Sequence, residues 1–179
     1  MRTGRRVKNR ISDNRGISLV ELIVVISIMT IMTGVTALGI SMMFSRDANY
    51  VAVRIDDALS ETRTLSMSRE GTFKCLLHID TDPKGSYVLI TRDVPGVATE
   101  EVKKVPLDKS VSITVKGDAV AMTGDFSVVF DKSKGSIDKV NGSDPDKGVY
   151  TITVTSTKNT SKTADVTIVK TTGRHFTGK

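Results

Sequence analysis

Few residues in this chain of 179 are placed to do chemistry, and the most telling is Glu21. It is a carboxylate inside the apolar run that begins Ile17-Ser-Leu-Val-Glu-Leu-Ile-Val-Val-Ile26, and no further charge follows it until Arg46. A carboxylate in hydrocarbon is costly unless a cation or a proton meets it, or unless it sits at the headgroup level. The other candidates carry less. Cys75 is the one cysteine, which excludes an intrachain disulfide and a CxxC metal site; flanked by Phe73, Leu76 and Leu77, it reads as a small buried hydrophobe. His78 and His175 stand in no nucleophile-elbow context, so both read as strand residues and the chain as a non-enzyme. Asp80, Asp82, Asp144 and Asp146 lie in two turns and are the candidate calcium ligands. Lys84 and Lys147 inside those turns oppose a cation, neither turn fits a twelve-residue calcium loop, and turn chemistry accounts for both. With no P-loop and no dinucleotide fingerprint, no cofactor is expected.

The elements that position Glu21 are a basic leader and an apolar span. Arg2, Arg5, Arg6, Lys8, Arg10 and Arg15 face Asp13 alone in the leader, while charges nearly balance over the rest of the chain. Of the net +6, +5 therefore belongs to the leader, and the rest exerts no general pull on nucleic acid. From Leu22 to Phe44 the chain is uncharged, longer than the roughly 20 apolar residues that cross a bilayer as a helix. The positive-inside rule puts the N-terminus in the cytoplasm and residues after about Arg46 outside.

Arg15-Gly16-Ile17-Ser18-Leu19-Val20-Glu21-Leu22 closely resembles the prepilin cleavage and methylation motif of type IV pilins and pseudopilins. The resemblance implies cleavage between Gly16 and Ile17 by a prepilin peptidase, methylation of the new amine at Ile17, and Glu21 as fifth residue of the mature chain. It implies assembly with other pilin or pseudopilin subunits through Glu21, Leu19, Val20 and Leu22, in a filament for secretion, DNA uptake or adhesion anchored at the cytoplasmic membrane. The chemistry is direct: scission creates a cation beside a low-dielectric region, where a carboxylate attracts it far more strongly than in water. Two positions depart from the commoner pattern, Ile17 for Phe and Ser18 for Thr. No Pro occurs before Pro83, so Gly34 and Gly39 are the helix weakeners of the span. The end of the helix (Ala58-Leu-Ser-Glu-Thr-Arg-Thr-Leu-Ser-Met-Ser-Arg69) and the Gly173-Arg174 pair look most like the minor pseudopilin H and FimT-like group.

Beyond Phe44 the pattern turns amphipathic. Ala48, Val51, Ala52, Ile55, Ala58, Leu59, Thr62 and Leu65 follow helical spacing, and Gly71 is a stop. One helix is predicted from about Ile17 to about Glu70, against the alternative of two helices broken near 45–48. The head reads as β: strands at Phe73–Ile79, Tyr87–Arg92, Val111–Lys116, Phe126–Phe130, a strand around Tyr150, Ile152 and Val154, and a last one around Val166 and Ile168. The polar tract Thr155–Lys162 reads as a loop or hairpin tip. The fold class is α+β, with a long helix docked on an antiparallel sheet or small sandwich. The divisions are a removed leader, 1–16; a transmembrane and polymerisation helix, 17–44; an amphipathic half, 45–71; and a β-rich head, 72–179.

Two other readings use the same residues. An ordinary signal peptide with a cleavage site at Val35-Thr-Ala37 would release a secreted β-rich binding domain starting at Leu38. An unprocessed signal anchor would keep the original N-terminus. Lys170, Arg174 and Lys179 leave a modest basic C-terminal end; DNA is the partner it would suit, against the plainer account of a solvated strand end.

Overall fold

The computed structural model describes residues 18–80, 85–117, 120–122 and 124–178. It divides into two units, residues 1–40 and 41–179. Helix α1 (Leu19–Ser68) has 50 residues. It is continuous at 45–48 and ends within two residues of the predicted limit, where Arg69 N–H still donates to Leu65 O. Gly71 closes it at φ +104°, a conformation that glycine adopts without the Cβ penalty.

In the first unit the helical residues from Leu19 to Thr36 form an apolar window with mean hydropathy 2.2 and no buried residue. In the second unit the predicted stripe is the buried face: Ala48, Val51, Ala52, Ile55, Ala58 and Leu59 are all sealed. Thr62 is sealed too and returns its hydroxyl to Ala58 O, so a polar side chain continues the stripe without an unmet donor.

The head has ten strands among the described residues: β1 (Thr72–His78), β2 (Tyr87–Asp93), β3 (Glu100–Pro106), β4 (Val111–Gly117), β5 (Val120–Met122), β6 (Phe126–Phe130), β7 (Ile137–Val140), β8 (Val149–Ser156), β9 (Thr163–Val169) and β10 (His175–Gly178). They form two five-stranded sheets, ordered β3-β2-β1-β6-β7 and β10-β9-β8-β4-β5, with every strand pair antiparallel. Strict alternation in β1, β4, β8 and β9 turns Phe73, Cys75, Leu77, Ile113, Val115, Tyr150, Ile152, Val154, Val166 and Ile168 inward. These join the α1 stripe in one apolar cluster, and the tilted contact of Phe126 with Tyr150, 5.8 Å between centroids, links the two sheets.

The six predicted strands are present, and β3, β5, β7 and β10 are additional. Each lacks the alternation that marks a half-buried strand. β3 has every residue exposed except Val105, β5 is three residues long, β7 has apolar residues only at its ends, and β10 is a four-residue edge strand. The tract at Thr155–Lys162 is corrected at its start: Thr155 and Ser156 pair within β8, and the tip is tied down where Thr157 donates from both N–H and hydroxyl to Ser110 O.

Candidate functional site

Gly16, Ile17 and Asp82 lie outside the described residues; Glu21, Leu19, Val20 and Leu22 lie in or beside the first turn of α1. The helix begins where Leu22 N–H donates to Ser18 O at 3.0 Å. A carboxylate in a first turn is favoured by the unpaired amides there, which gives Glu21 a helical reason for its place. Around it Leu19, Val20 and Leu22 are 73%, 67% and 51% exposed. The whole window from Leu19 to Thr36 thus offers apolar side chains outward on all sides, with a single carboxylate near its start.

The hydroxyl side chains inside that window are satisfied by the helix itself. Ser27 donates to Ile23 O at 2.7 Å, Thr30 to Ser27 O at 2.8 Å, and Thr33 to Met29 O at 2.7 Å. Thr36 shares its hydroxyl between Met32 O and Thr33 O. Hydroxyls satisfied this way need no water, which hydrocarbon does not supply. Ile26, Met29, Thr30, Thr33 and Gly34 line a shallow groove, and a Cβ on Gly34 would meet nothing within 4 Å. Composition alone had marked Gly34 as a helix weakener; the structure marks it as the floor of a groove.

The head's sequence candidates are dispersed. Among the described residues no group of three or more His, Cys, Asp or Glu side chains could hold a metal. Asp80 N–H donates to Ser86 Oγ. Asp144 is exposed, and Asp146 accepts from Tyr150 Oη and pairs with Lys147 Nζ at 3.4 Å. Lys170 Nζ donates to Pro145 O at 2.7 Å, so the C-terminal basic end has one of its cations committed to the fold. Burial pushes the Cys75 thiol up to about 12, against a smaller opposing effect of Thr62, as suits a core residue. His78 pairs with Asp125 at 2.9 Å and stacks on Tyr87.

Sequence reasoning missed what gathers around the C-terminal strand. Ser60 Oγ of α1 lies 2.7 Å from His175 Nε2 of β10. Arg63 reaches across from α1 to two carbonyls, Gly135 O at 2.9 Å and Thr172 O at 3.1 Å. Gly173, at φ +61°, is where the turn before β10 passes so close to Gly135 that any side chain would overlap it. The Gly173-Arg174 pair was the visible signal; the helix residues Ser60 and Arg63 that bond the flanking His175 and Thr172 were not, because they lie over 100 residues away on a helix face read only for its apolar stripe.

A family described as the prokaryotic N-terminal methylation motif matches residues 11–37, the stretch that holds Gly16, Ile17 and Glu21. The crystal structure of the Pseudomonas aeruginosa type IV minor pilin FimU superposes with a TM-score of 0.52 at 12% identity, over 75% of this chain and 90% of that one. The fold is that of a type IV pilin. No curated protein sequence matches the chain significantly. The prepilin motif and the pilin fold thus coincide in one chain, and nothing in them singles out the minor pseudopilin H or FimT-like group.

Proposed function

We propose that the chain is a minor pilin or pseudopilin, cut between Gly16 and Ile17 by a prepilin peptidase, methylated at Ile17, and assembled through residues 17–44 into a filament rooted in the cytoplasmic membrane. The leader (1–16) is removed; the amphipathic half (45–71) belongs to the β-rich head (72–179), which stands outside the cytoplasm. The observation that carries this reading is the window Leu19–Thr36, apolar all round, unburied, and bearing one carboxylate. Such a surface requires lipid first and other helices later. Glu21 is the expected partner of the Ile17 amine of a neighbouring subunit, an ion pair whose attraction grows as water is excluded. Leu19, Val20 and Leu22 flank that pair, and the groove at Gly34 lets a second helix approach closely.

N-terminal sequencing and intact mass of the membrane-extracted protein test the reading. It requires a start at methylated Ile17; a start at Leu38 would establish the ordinary signal peptide, and an intact leader the permanent anchor. Gly16→Asp is expected to leave the precursor uncut. Normal processing of that variant would remove the cleavage assignment.

A further inference from the structure

The contact between α1 and β10 has a feature that filament assembly does not require. His175 has a side chain only 6% exposed, and its Nε2 lies 4.0 Å from Oδ1 of Asp56, itself 27% exposed as a side chain. That Oδ1 is sealed from water and has no hydrogen-bond donor. The imidazole is oriented from its other side: Nδ1 lies 3.1 Å from Gly173 O. A carbonyl oxygen only accepts, so Nδ1 carries a proton. In the neutral ring Nε2 then accepts from the Ser60 hydroxyl at 2.7 Å, and the sealed Oδ1 of Asp56 is left facing a lone pair. A carboxylate oxygen withdrawn from water in this way lacks a compensating donor.

One proton supplies it. On Nε2, it makes an imidazolium that donates to Ser60 Oγ, whose hydroxyl turns away, and that faces the Asp56 carboxylate. On Asp56, it removes the charge that the sealed Oδ1 shares. At 4.0 Å apart, the two sites compete for that one proton. We propose that Asp56, Ser60 and His175 form a proton-operated latch that fastens the C-terminal strand β10 to α1: it is closed with one proton bound to the pair and loosened when that proton leaves.

The charged residues near this contact can be named one by one. On α1 they are Asp56, Asp57, Arg54, which is bound to Pro106 O, Glu61, which is paired with Lys103, and, further along, Arg63, which is bound to Gly135 O and Thr172 O. On β9 there is Asp165, opposite Gly178. In and beside the turn before β10 are Lys170, held by Pro145 O, and the exposed Arg174. Asp56 is pushed above the ordinary carboxylate range chiefly by burial, with His175 acting against that rise and Asp57 adding to it. A carboxyl whose folded pKa is raised stabilises the fold below its unfolded value of 3.8 and loses that contribution as pH rises through the folded value. The latch is therefore tight in mild acid and slack above it. Slackening would free an edge strand that carries Phe176, already 54% exposed, and would bare the β9 backbone from Asp165 to Ile168 that β10 covers.

The test is amide hydrogen exchange of the full chain in detergent micelles between pH 4 and 8, corrected for intrinsic exchange, with the β4–β8 amides as internal reference. In the wild type, protection of the β10 amides relative to that reference should fall at least threefold as pH rises, in step with titration of the His175 ring protons by NMR. In Asp56→Asn the ratio should be flat, and in His175→Gln it should lose most of its slope. A flat ratio in the wild type, or a slope that survives in Asp56→Asn, would overturn the latch. Should the variants not fold, the wild-type ratio and the His175 titration decide by themselves: they must change together over one pH range.

Discussion

Replacing Gly173 by Ala tests how the turn before β10 is held. The residue sits at φ +61°, where an L side chain costs about 1–2 kcal/mol. Its new Cβ would lie 2.9 Å from the Gly135 carbonyl carbon, closer still to the oxygen, and 3.3 Å from Ser136 Cα. Both neighbours are backbone, so the two turns must part. Gly135 O and Thr172 O are the two acceptors of Arg63, and a hydrogen bond from a charged donor is worth about 1.5–3 kcal/mol. Losing one or both brings the expected total to about 4 kcal/mol. Gly142→Ala is the control: its φ is +80°, and a Cβ there meets nothing within 4 Å, so it should cost only the backbone share of about 1–2 kcal/mol. Thermal unfolding of the head, followed by far-ultraviolet circular dichroism on the full chain in detergent, reads the difference. At roughly 3 °C per kcal/mol for a unit of this size, Gly173→Ala should melt about 12 °C below wild type and Gly142→Ala about 4 °C below. If the two variants melt within 2–3 °C of each other, neither the clash nor the Arg63 fork matters as argued.

Further outcomes follow from the same geometry. Glu21→Val should leave membrane insertion and processing intact but abolish incorporation into filaments, measured as pilin in sheared surface fractions; undiminished incorporation would remove Glu21 from assembly. Ile55→Ala, at a fully sealed position facing both sheets' core cluster, should cost about 2–5 kcal/mol in chemical denaturation, and a loss under 1 kcal/mol would mean the helix is not docked as described. The Cys75 thiol, at about 12, should resist alkylation at pH 8 in the native protein and react once denaturant is added; equal rates would contradict its burial. Hydrogen bonds from the Ser133 hydroxyl and the Lys134 and Ser133 amides hold Asp131 below the ordinary carboxylate range. Its contribution is therefore present above the unfolded value and lost as pH falls through the folded one, so Asp131→Asn should flatten the acid limb of the melting curve below about pH 4.

How much of this was legible in the chain varied by element. The α1 stripe could be read residue by residue because burial on one helix face imposes its own period, and Ala48 through Leu59 obey it. The strands that run through the middle of each sheet were readable for the same reason: β4 and β8 alternate because one face is sealed. β3 was not, since an edge strand with both faces wet has no pattern to impose, and Glu-Glu-Val-Lys-Lys looks like a loop. The prepilin motif was legible because its parts act locally, within eight residues. Asp56, Ser60 and His175 were invisible because their meaning arises only when β10 closes against α1, with more than 100 residues between.

That same β3 has a further consequence. It is a seven-residue open border of the first sheet, and an unpaired border of that length invites foreign strands. Glu100, Glu101, Lys103 and Lys104 crowd it with charge, Pro106 removes an amide at its end, and the irregular register between Ile90 and Thr91 interrupts its pairing. Heads brought side by side at high density are thereby discouraged from knitting into amyloid-like ribbons, so that their association is left to surfaces other than the backbone of this strand.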